Sequence, residues 1–291
     1  PEDNAWEGPR RQTYHFAKGL GNKSCFEVTV FTERYDETYS YDEPFEVVPV
    51  DLDRWFLPIR LWQNYYFSGQ VLKRVLRENY DLVHLHRFYT SPLDRFGTYI
   101  LTMIGAETRQ EVGDIDSYYD YVGDRLNSVL QRRLLTNVDA STAISPRLRD
   151  EIREYWNVDV DTVLPLGISE KFFNIKESMP PENDSVLYVS RISRKKNQKY
   201  LLEHLDYESM NLRLVGGVHE EAYKESLLEQ YPGAGERFVG FVPDEQLLEE
   251  YRTARVFVLP SQHENFGFTA LEAMASGTPV IIRDTIGLAD F

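Results

Sequence analysis

The sequence predicts an α/β protein, because short apolar segments typical of buried strands alternate with helical segments along most of the 291 residues. The clearest example is residues 256–282, where an apolar run closed by Pro260 is followed by good helix formers at 268–276. Gly277 and Pro279 end this helix, and a second apolar run follows directly. A strand, a helix and a strand in this order predict a βαβ unit of a parallel sheet.

The same alternation extends over both halves of the chain. The other strand candidates are residues 28–31, 47–50, 82–85, 140–144, 186–189, 212–215 and 237–240. The other predicted helices are residues 11–20, 61–78, 121–135, 146–155 and 244–253. Within the second of these, a helical stripe predicted to face the core comprises Leu61, Tyr65, Leu72, Val75 and Leu76.

A polar segment separates two patterned halves. Residues 174–184 are polar and contain Pro180 and Pro181, which is typical of a linker. The chain is long enough for two domains with substantial cores. We therefore predict an amino-terminal domain at 1–173, a linker at 174–184 and a carboxy-terminal domain at 185–291.

Composition excludes several classes of function. The net charge of −15 argues against nucleic-acid binding and leaves at most a weak peripheral contact with a membrane surface. The sequence has no apolar run of membrane-spanning length, so we predict no transmembrane segment. Its one cysteine, Cys25, rules out an internal disulfide and fits a reducing compartment, so we predict a cytoplasmic location for this acidic protein.

Two carboxylates eight positions apart mark the best candidate site. Glu264 lies in the predicted strand-to-helix loop, at the edge of the sheet where ligands of open α/β folds bind, and Glu272 lies within the helix. The backbone amides of Phe266, Gly267 and Phe268 open that helix and form an anion site. The alternative is a solvated loop carboxylate and a surface helix residue. Glu272 lies in an apolar helix, however, where a carboxylate needs a partner.

These residues carry a family resemblance. The segments ENFGFTALE and ALEAMASGTPVI are similar to the donor-site signature of family-four (group 1) retaining glycosyltransferases. The resemblance implies the GT-B architecture, in which two Rossmann-like domains face each other across a cleft. It also implies that Glu272 holds the ribose of a nucleotide-sugar. Glu264 and the amides of Phe266, Gly267 and Phe268 then hold the donor sugar and its phosphates.

A cationic segment after the strand at 186–189 extends the resemblance. Arg191 and Lys196 align with the Arg and Lys that the family brings to the donor diphosphate. Fixed cations beside a departing diphosphate lower the barrier to its release, so the chemistry is reasonable in itself. Arg194 and Lys195 are alternatives to Lys196, and a solvated helix start is the structural alternative for the whole cluster.

The amino-terminal half matches the family less closely. Residues 81–86 resemble its DvvHvH strand end, where His84 and His86 share a face and His86 lies nearer the carboxyl edge. His86 is therefore a candidate acceptor-side residue, with a buried structural histidine as the equal alternative. The spacing of the two histidines would suit a metal, but no third ligand is evident nearby in the sequence, so we predict no metal site.

The ends of the sequence also bear on the expected architecture. Residues 7–10 resemble the remains of the glycine loop that follows the family's first strand, which assigns Gly8 to the donor-binding set. The strand itself is missing, and the chain stops soon after the strand that begins at Val280. From the sequence we therefore expect the fold to be truncated at both ends.

Two departures from the family pattern keep alternatives open. Ile104 stands where a histidine of the sugar and acceptor pocket is usual, and Leu166 replaces the Asn of a P-N-G hinge.

We predict a metal-independent, retaining, hexosyltransferase-type enzyme of glycan biosynthesis that needs no cofactor. It would transfer a sugar from a nucleotide-diphosphate sugar to a sugar, glycan or lipid-linked acceptor. The alternatives are a non-catalytic nucleotide-sugar-binding subunit, an epimerase or a phosphorylase.

Overall fold

The protein is built from two compact units: Pro9–Leu166 is one, and Gly167–Phe291 forms the other together with Gly8. The computed structural model describes residues 8–33, 43–50, 60–86, 98–103, 128–173 and 184–291, without the side chains of 8–12, 33 and 60–65. Apart from Asp184, the predicted linker lies outside these residues, so the predicted domain bounds stay a prediction. None of the helices described is long and apolar enough to cross a membrane.

The first half of the chain alternates strands and helices around parallel sheets. Its elements are α1 (Gly8–Gly21), β1 (Thr29–Glu33), β2 (Glu46–Val50), α2 (Arg60–Glu78), β3 (Val83–Leu85), β4 (Tyr99–Met103), α3 (described over 128–135), β5 (Ala140–Ala143), α4 (Pro146–Trp156) and β6 (Thr162–Val163). Strand β1 pairs in parallel with β2, and β3, β4, β5 and β6 form a second sheet in that order, also parallel. The predicted strands and helices of this half are therefore present within the described residues, and residues 121–127 of the predicted helix at 121–135 lie outside them.

The face of α2 that packs on the core differs from the predicted stripe. Phe67, Val71 and Val75 are buried and pack with Val50 of β2. Leu76, which was assigned to the core stripe, is 52% exposed, so this assignment is wrong. The helix carries two overlapping apolar stripes, and packing against β2 rather than periodicity selects the one that is buried.

The second unit is a doubly wound α/β domain. Its elements are β7 (Ser185–Val189), α5 (Gln198–His204), β8 (Asn211–Val215), α6 (Glu221–Gln230), β9 (Phe238–Gly240), α7 (Asp244–Thr253), β10 (Val256–Leu259), α8 (Phe268–Ala275) and β11 (Val280–Ile282), with short 3-10 helices at Glu170–Phe173, Arg194–Lys196, Ala234–Arg237 and Gly287–Asp290. The strands at its centre are apolar on both faces: Leu187 and Tyr188 of β7 and Phe257 of β10 are fully buried. Helices therefore cover the sheet on both sides.

The strand order of this unit locates its ligand-binding edge. The sheet runs β11-β10-β7-β8-β9, and all its pairings are parallel. Counted from β7 as the first strand, this is the 3-2-1-4-5 order of a Rossmann-like sheet. The order reverses between β7 and β10, and ligands of such sheets bind at this point, outside the carboxyl ends of the strands. The predicted α/β class with parallel sheets is confirmed.

Candidate functional site

Two loops meet where the strand order reverses. The loop after β7 and the loop after β10 are joined by two bonds that involve the backbone. The Gln262 amide donates to the Lys195 carbonyl over 3.1 Å, and the side chain of Asn197 donates to the Pro260 carbonyl over 3.2 Å. Because β7 and β10 are parallel neighbours, their carboxyl ends lie at one edge, and these bonds hold both loops there.

A half-buried ion pair completes this junction. The ammonium of Lys196 donates to Oε1 of Glu264, and each side chain is only 18% exposed. The sequence assigned these two residues to a single donor site although 68 positions separate them, and the fold brings them into direct contact. An ion pair shielded in this way from water is stronger than a surface pair. A ligand phosphate would meet the Lys196 cation already oriented by the carboxylate.

Arg191 occupies the other side of the same loop. It follows β7 after one intervening residue and its side chain is exposed. The backbone beside it is fixed, since the amide of Ile192 donates to the carbonyl of Gly217 over 2.9 Å. An exposed arginine on a fixed backbone lies where its guanidinium can bind a phosphate group.

The start of α8 supplies backbone donors at this edge. The first amides of a helix have no acceptor within the helix, so those of Phe268 and the residues that precede it point outward. Gly267 has a φ of 98°, and a Cβ there would lie 2.8 Å from Cγ2 of Ile286. The turn at 286–288 holds the loop in place: Gly287 and Leu288 donate their amides to the carbonyls of Glu264 and Phe266 over 3.1 and 2.7 Å. Only glycine fits this helix start.

The aromatic residues of this loop differ in their surroundings. Phe266 is buried, and its ring centroid lies 5.1 Å from that of Phe268, which is half-buried. The Phe266 side chain therefore packs in the interior, so only its backbone is placed to meet a ligand.

Glu272 has the partner that the sequence required. It lies inside α8, is 7% exposed and accepts a 2.9 Å hydrogen bond at Oε2 from the hydroxyl of Tyr251 on α7. The carbonyl of Tyr251 accepts a bond from the hydroxyl of Thr278, which ties α7 to the segment after α8. The carboxylate thus has a fixed orientation, unlike that of a surface glutamate.

Sequence reasoning missed several polar residues that shape this site. Tyr251, Tyr188 and Gln198 are all buried, and each bonds to the loops or carboxylates described above. A glutamine in a seven-residue helix reads as a solvent-facing residue, and a tyrosine in an apolar strand reads as core. The available signal was their polarity at positions that the strand and helix patterns turn inward.

His86 lies at the end of β3, in an aromatic cluster of the first unit. Its ring centroid is 4.2 Å from that of His84 and 5.0 Å from that of Phe16 on α1. Burial, and to a smaller extent His84, lower the pKa of His86 to about 3, so the ring is neutral at pH 7. Within the described residues its Nδ1 is buried and has no hydrogen-bond partner. His84 bonds instead to the Thr102 hydroxyl over 2.7 Å.

Three further sequence assignments have different outcomes. Gly8 is the first residue of α1, so this donor-binding candidate stands at a helix N-terminus. Ile104 lies outside the described residues. Leu166 ends the first compact unit. In the described part of the chain, no group of three or more His, Cys, Asp or Glu side chains could hold a metal ion.

Comparison with known proteins identifies the family. The model of glycosyl transferases group 1 matches residues 170–291. The model of glycosyltransferase family 4 matches residues 6–172, more than half of the chain. The chain belongs to glycosyltransferase family 4. The family recognised in the donor-loop motif is thereby confirmed.

Relatives of this family 4 glycosyltransferase carry several enzyme names. An uncharacterized glycosyltransferase of Methanocaldococcus jannaschii is 27% identical and aligns with 98% of this chain and 80% of its own length. D-inositol 3-phosphate glycosyltransferase of Corynebacterium diphtheriae is 24% identical over 76% of this chain and 59% of its own length. The sulfoquinovosyl transferase of Arabidopsis thaliana is 30% identical over 46% of this chain and 26% of its own. The chain thus spans less than two thirds of the latter two proteins.

Solved structures share the fold of this family 4 glycosyltransferase. Sucrose-phosphate synthase from Thermosynechococcus elongatus aligns with a TM-score of 0.76 at 22% identity, covering 97% of this chain and 77% of that one. WaaG, a glycosyltransferase of lipopolysaccharide biosynthesis, aligns at 0.77 and 16% identity, covering 98% and 80%. Anabaena HepE in complex with UDP and glucose aligns at 0.69 and 17% identity, covering 99% and 81%. These likenesses establish the GT-B fold.

Proposed function

We propose that this glycosyltransferase transfers a sugar from a nucleotide-diphosphate sugar to an acceptor hydroxyl, with retention of the anomeric configuration and without a metal ion. The observation that carries the proposal is the contact of Lys196 with Glu264 across the point where the strand order reverses. This contact joins a cation suited to a phosphate with a carboxylate suited to sugar hydroxyls, next to outward helix amides.

Each part of a nucleotide-sugar has a counterpart at this edge. Glu272 would accept hydrogen bonds from the ribose hydroxyls. Arg191 and Lys196 would neutralise the diphosphate, with the amides of Gly267 and Phe268 as further donors. Glu264 would bind the transferred sugar, and this role agrees with its place between the phosphate cation and the start of α8.

The acceptor side is assigned to the first half of the chain. His86 is neutral at pH 7 because its pKa is about 3, so it would act as a hydrogen-bonding group rather than as a cation. An acceptor sugar, glycan or lipid-linked hydroxyl would be bound from the side of His86. Gly8, at the N-terminus of α1, keeps its assignment to the donor-binding set and would let the nucleotide-sugar approach the backbone closely.

The reaction balances without a protein nucleophile. The bond between the anomeric carbon and the departing phosphate oxygen breaks, and a bond from that carbon to the acceptor oxygen forms on the same face. The acceptor's proton passes to the departing phosphate oxygen. The negative charge that grows on the diphosphate is stabilised by Arg191 and Lys196, so the protein acts by positioning and electrostatics. Fixed cations and helix amides supply what a metal supplies in other transferases.

Two structures of one protein, Anabaena HepE, support the donor class. HepE structures were obtained with UDP and glucose and with UDP-glucose, and their fold extends over this chain. These ligands belong to HepE, and they make uridine nucleotides the first probes for the present protein.

The first test is calorimetric titration with UDP, GDP and ADP. Wild-type protein is compared with Glu272→Ala and with the matched control Glu249→Ala, whose carboxylate is exposed on α7. We expect one nucleotide to bind, Glu272→Ala to weaken it at least tenfold, and the control to bind like wild type. Circular dichroism establishes that each variant is folded. A folded wild-type protein that binds none of the three contradicts the donor site.

A charge-removing variant tests the role of Glu264. In Glu264→Gln the diphosphate no longer meets a nearby negative charge, so we expect the nucleoside diphosphate to bind equally well or several-fold more tightly. Release of nucleotide from the nucleotide-sugar in the presence of acceptors should nevertheless fall by at least tenfold. Parallel losses of binding and of release would contradict the assignment of Glu264 to the sugar.

Product analysis separates the alternatives. Transfer predicts a new glycoside of unchanged anomeric configuration, measured by the proton coupling of its anomeric centre. An isomerised nucleotide-sugar formed without acceptor would indicate an epimerase, and a free sugar phosphate made from inorganic phosphate would indicate a phosphorylase. Nucleotide binding without turnover under any acceptor would indicate the non-catalytic subunit.

A further inference from the structure

A fully buried glutamine organises the loop that carries both candidate phosphate-binding cations. Gln198 is the first residue of α5 and has no exposed surface. Its Nε2 donates to the carbonyl of Arg191 and to the hydroxyl of Tyr188, each over 2.8 Å. Its Oε1 accepts a longer bond, 3.4 Å, from the amide of Ser193. The side-chain amide of Gln198 thus bonds to Arg191 at the start of the loop, to Ser193 in its middle and to Tyr188 in the strand that precedes it.

The hydroxyl of Tyr188 extends this network to the second cation. It accepts from Gln198 and donates to the carbonyl of Lys196 over 3.2 Å. Burial raises the pKa of Tyr188 well above its ordinary value, so the phenol keeps its proton and remains a donor. The backbone at Arg191 and the backbone at Lys196 are therefore attached to one buried pair of side chains.

We propose that Gln198 and Tyr188 are positioning residues for diphosphate recognition, which fix the backbone from which Arg191 and Lys196 reach the donor's phosphates. The proposal rests on the proposed function and deepens it. Neither positioning residue touches the ligand; each acts through the two cations.

The physical reason lies in the flexibility of the cationic side chains. Arginine and lysine are among the side chains that lose the most rotamer entropy when they are held in one geometry. A loop whose backbone also moved would add to that loss at every binding event. A loop fixed in advance by buried hydrogen bonds avoids this addition, which is the general advantage of a preorganised site.

A merely structural role is the competing explanation, and ligand pairs distinguish the two. If Gln198 only stabilises the unit, its replacement weakens all nucleotides alike. If it positions the cations, its replacement weakens the affinity for the diphosphate and leaves the affinity for the monophosphate nearly unchanged. The informative quantity is the ratio of the Kd of a nucleoside monophosphate to that of its diphosphate, measured for whichever of UDP, GDP and ADP binds the wild type.

The variants are Gln198→Met and Tyr188→Phe, which keep the volume and remove the hydrogen bonds. We expect each to lower the monophosphate-to-diphosphate ratio at least tenfold, with the monophosphate Kd changed less than twofold. Tyr223→Phe is the matched control, since its buried hydroxyl bonds to the amide of Lys199, outside the cationic loop. The control should lower the thermal stability but leave the ratio unchanged.

The outcomes distinguish a failure of this positioning role from a failure of the proposed function. If both variants fold and keep the wild-type ratio while losing stability as Tyr223→Phe does, the positioning role is overturned and the donor site stands. If the folded wild type binds no nucleotide, the proposed function fails and the positioning role fails with it. If Gln198→Met does not fold, the more conservative Tyr188→Phe decides the question by the same ratio.

Discussion

Gly216 offers the most decisive test of how the candidate site is built. This residue follows β8, has a φ of 143° and lies so close to β7 that an added Cβ would be 2.0 Å from the carbonyl oxygen of Ser190. The same Cβ would be 2.7 Å from the Ser190 carbonyl carbon and 3.3 Å from the amide nitrogen of Arg191. Gly216→Ala therefore forces the backbone of the cationic loop to move.

The magnitude follows from two separate effects. A close carbon–oxygen contact is about 3.3 Å, so the Ser190 carbonyl must withdraw by roughly 1 Å, and overpacking of this kind costs about 1–3 kcal/mol. A left-handed φ at a residue with a side chain adds about 1–3 kcal/mol. Together they predict a loss of about 4 kcal/mol. For a unit of this size, roughly 3 °C per kcal/mol corresponds to a fall in Tm of about 12 °C.

The neighbouring residue provides the control. A Cβ at Gly217 meets nothing within 4 Å, and its φ is not in the left-handed region. Gly217→Ala should change the free energy of unfolding by less than about 1 kcal/mol. Both variants are followed by thermal denaturation with far-ultraviolet circular dichroism, and nucleotide titration shows whether the displaced loop still binds a diphosphate.

Equal melting temperatures for the two variants would refute this reasoning. A lower Tm in Gly216→Ala without any loss of diphosphate affinity would refute a narrower part of it, namely that the Ser190 carbonyl controls the position of Arg191. We expect Gly216→Ala to lower both the Tm and the affinity for a diphosphate, and Gly217→Ala to lower neither.

Further predictions concern buried polar groups. His86 has a pKa of about 3 in the folded chain, well below its unfolded value. The unfolded state therefore binds a proton that the folded state does not, and stability falls as the pH drops below about 6.5. Between pH 7 and pH 5, urea unfolding should show the wild type losing about 2 kcal/mol more than His86→Gln. Tyr251→Phe removes a hydrogen bond to buried Glu272, so it should weaken nucleotide binding about tenfold and lower stability by about 1–3 kcal/mol. Arg213→Met leaves the 8%-exposed Glu250 carboxylate without its bidentate partner and should cost about 3 kcal/mol, much of which Glu250→Leu should recover in the double variant.

Each of these predictions has a control and a contrary outcome. His204→Gln, which replaces an exposed histidine stacked on Tyr200, is the control for His86→Gln. A pH profile of His86→Gln identical to that of wild type would contradict burial of His86. Tyr207→Phe removes an exposed hydroxyl contact and should leave nucleotide affinity unchanged, and the same result in Tyr251→Phe would separate Tyr251 from ribose binding. If the double variant Arg213→Met, Glu250→Leu is no more stable than Arg213→Met alone, the loss in Arg213→Met does not come from an unpaired buried charge.

The region from β10 to β11 was the most predictable from sequence. Its strands are continuous apolar runs and its helix has strong formers with a glycine and a proline after it, so the predicted bounds agree within one residue with Val256–Leu259, Phe268–Ala275 and Val280–Ile282. By contrast, α6 was not predicted because it buries only Tyr223 and Leu227, too few apolar positions to set a period.

The candidate site was predictable in composition and not in its contacts. The spacing of Glu264 and Glu272 and the cations after β7 are visible in the sequence. The ion pair of Glu264 with Lys196 depends on β10 lying beside β7, and this pairing is a property of the sheet rather than of either segment. The bonds of Gln198 require a buried helix start, which no local pattern in a seven-residue helix reveals.

The order of the strands also sets the order in which the candidate site can come into being. During synthesis β7, β8 and β9 are available first, and they form only one side of the sheet. The candidate site forms only when β10 pairs with β7. This pairing brings Val256 beside Val186 and therefore closes a long loop of chain.

A nucleotide that binds at the proposed site would therefore recognise only molecules that have completed this late step. A ligand at one hundred times its Kd stabilises the state it binds by about 2.7 kcal/mol, and here the whole of that stabilisation falls on chains with β10 in register. The donor substrate would then act as a check on assembly, favouring correctly closed sheets over those in which the last strands are still unpaired.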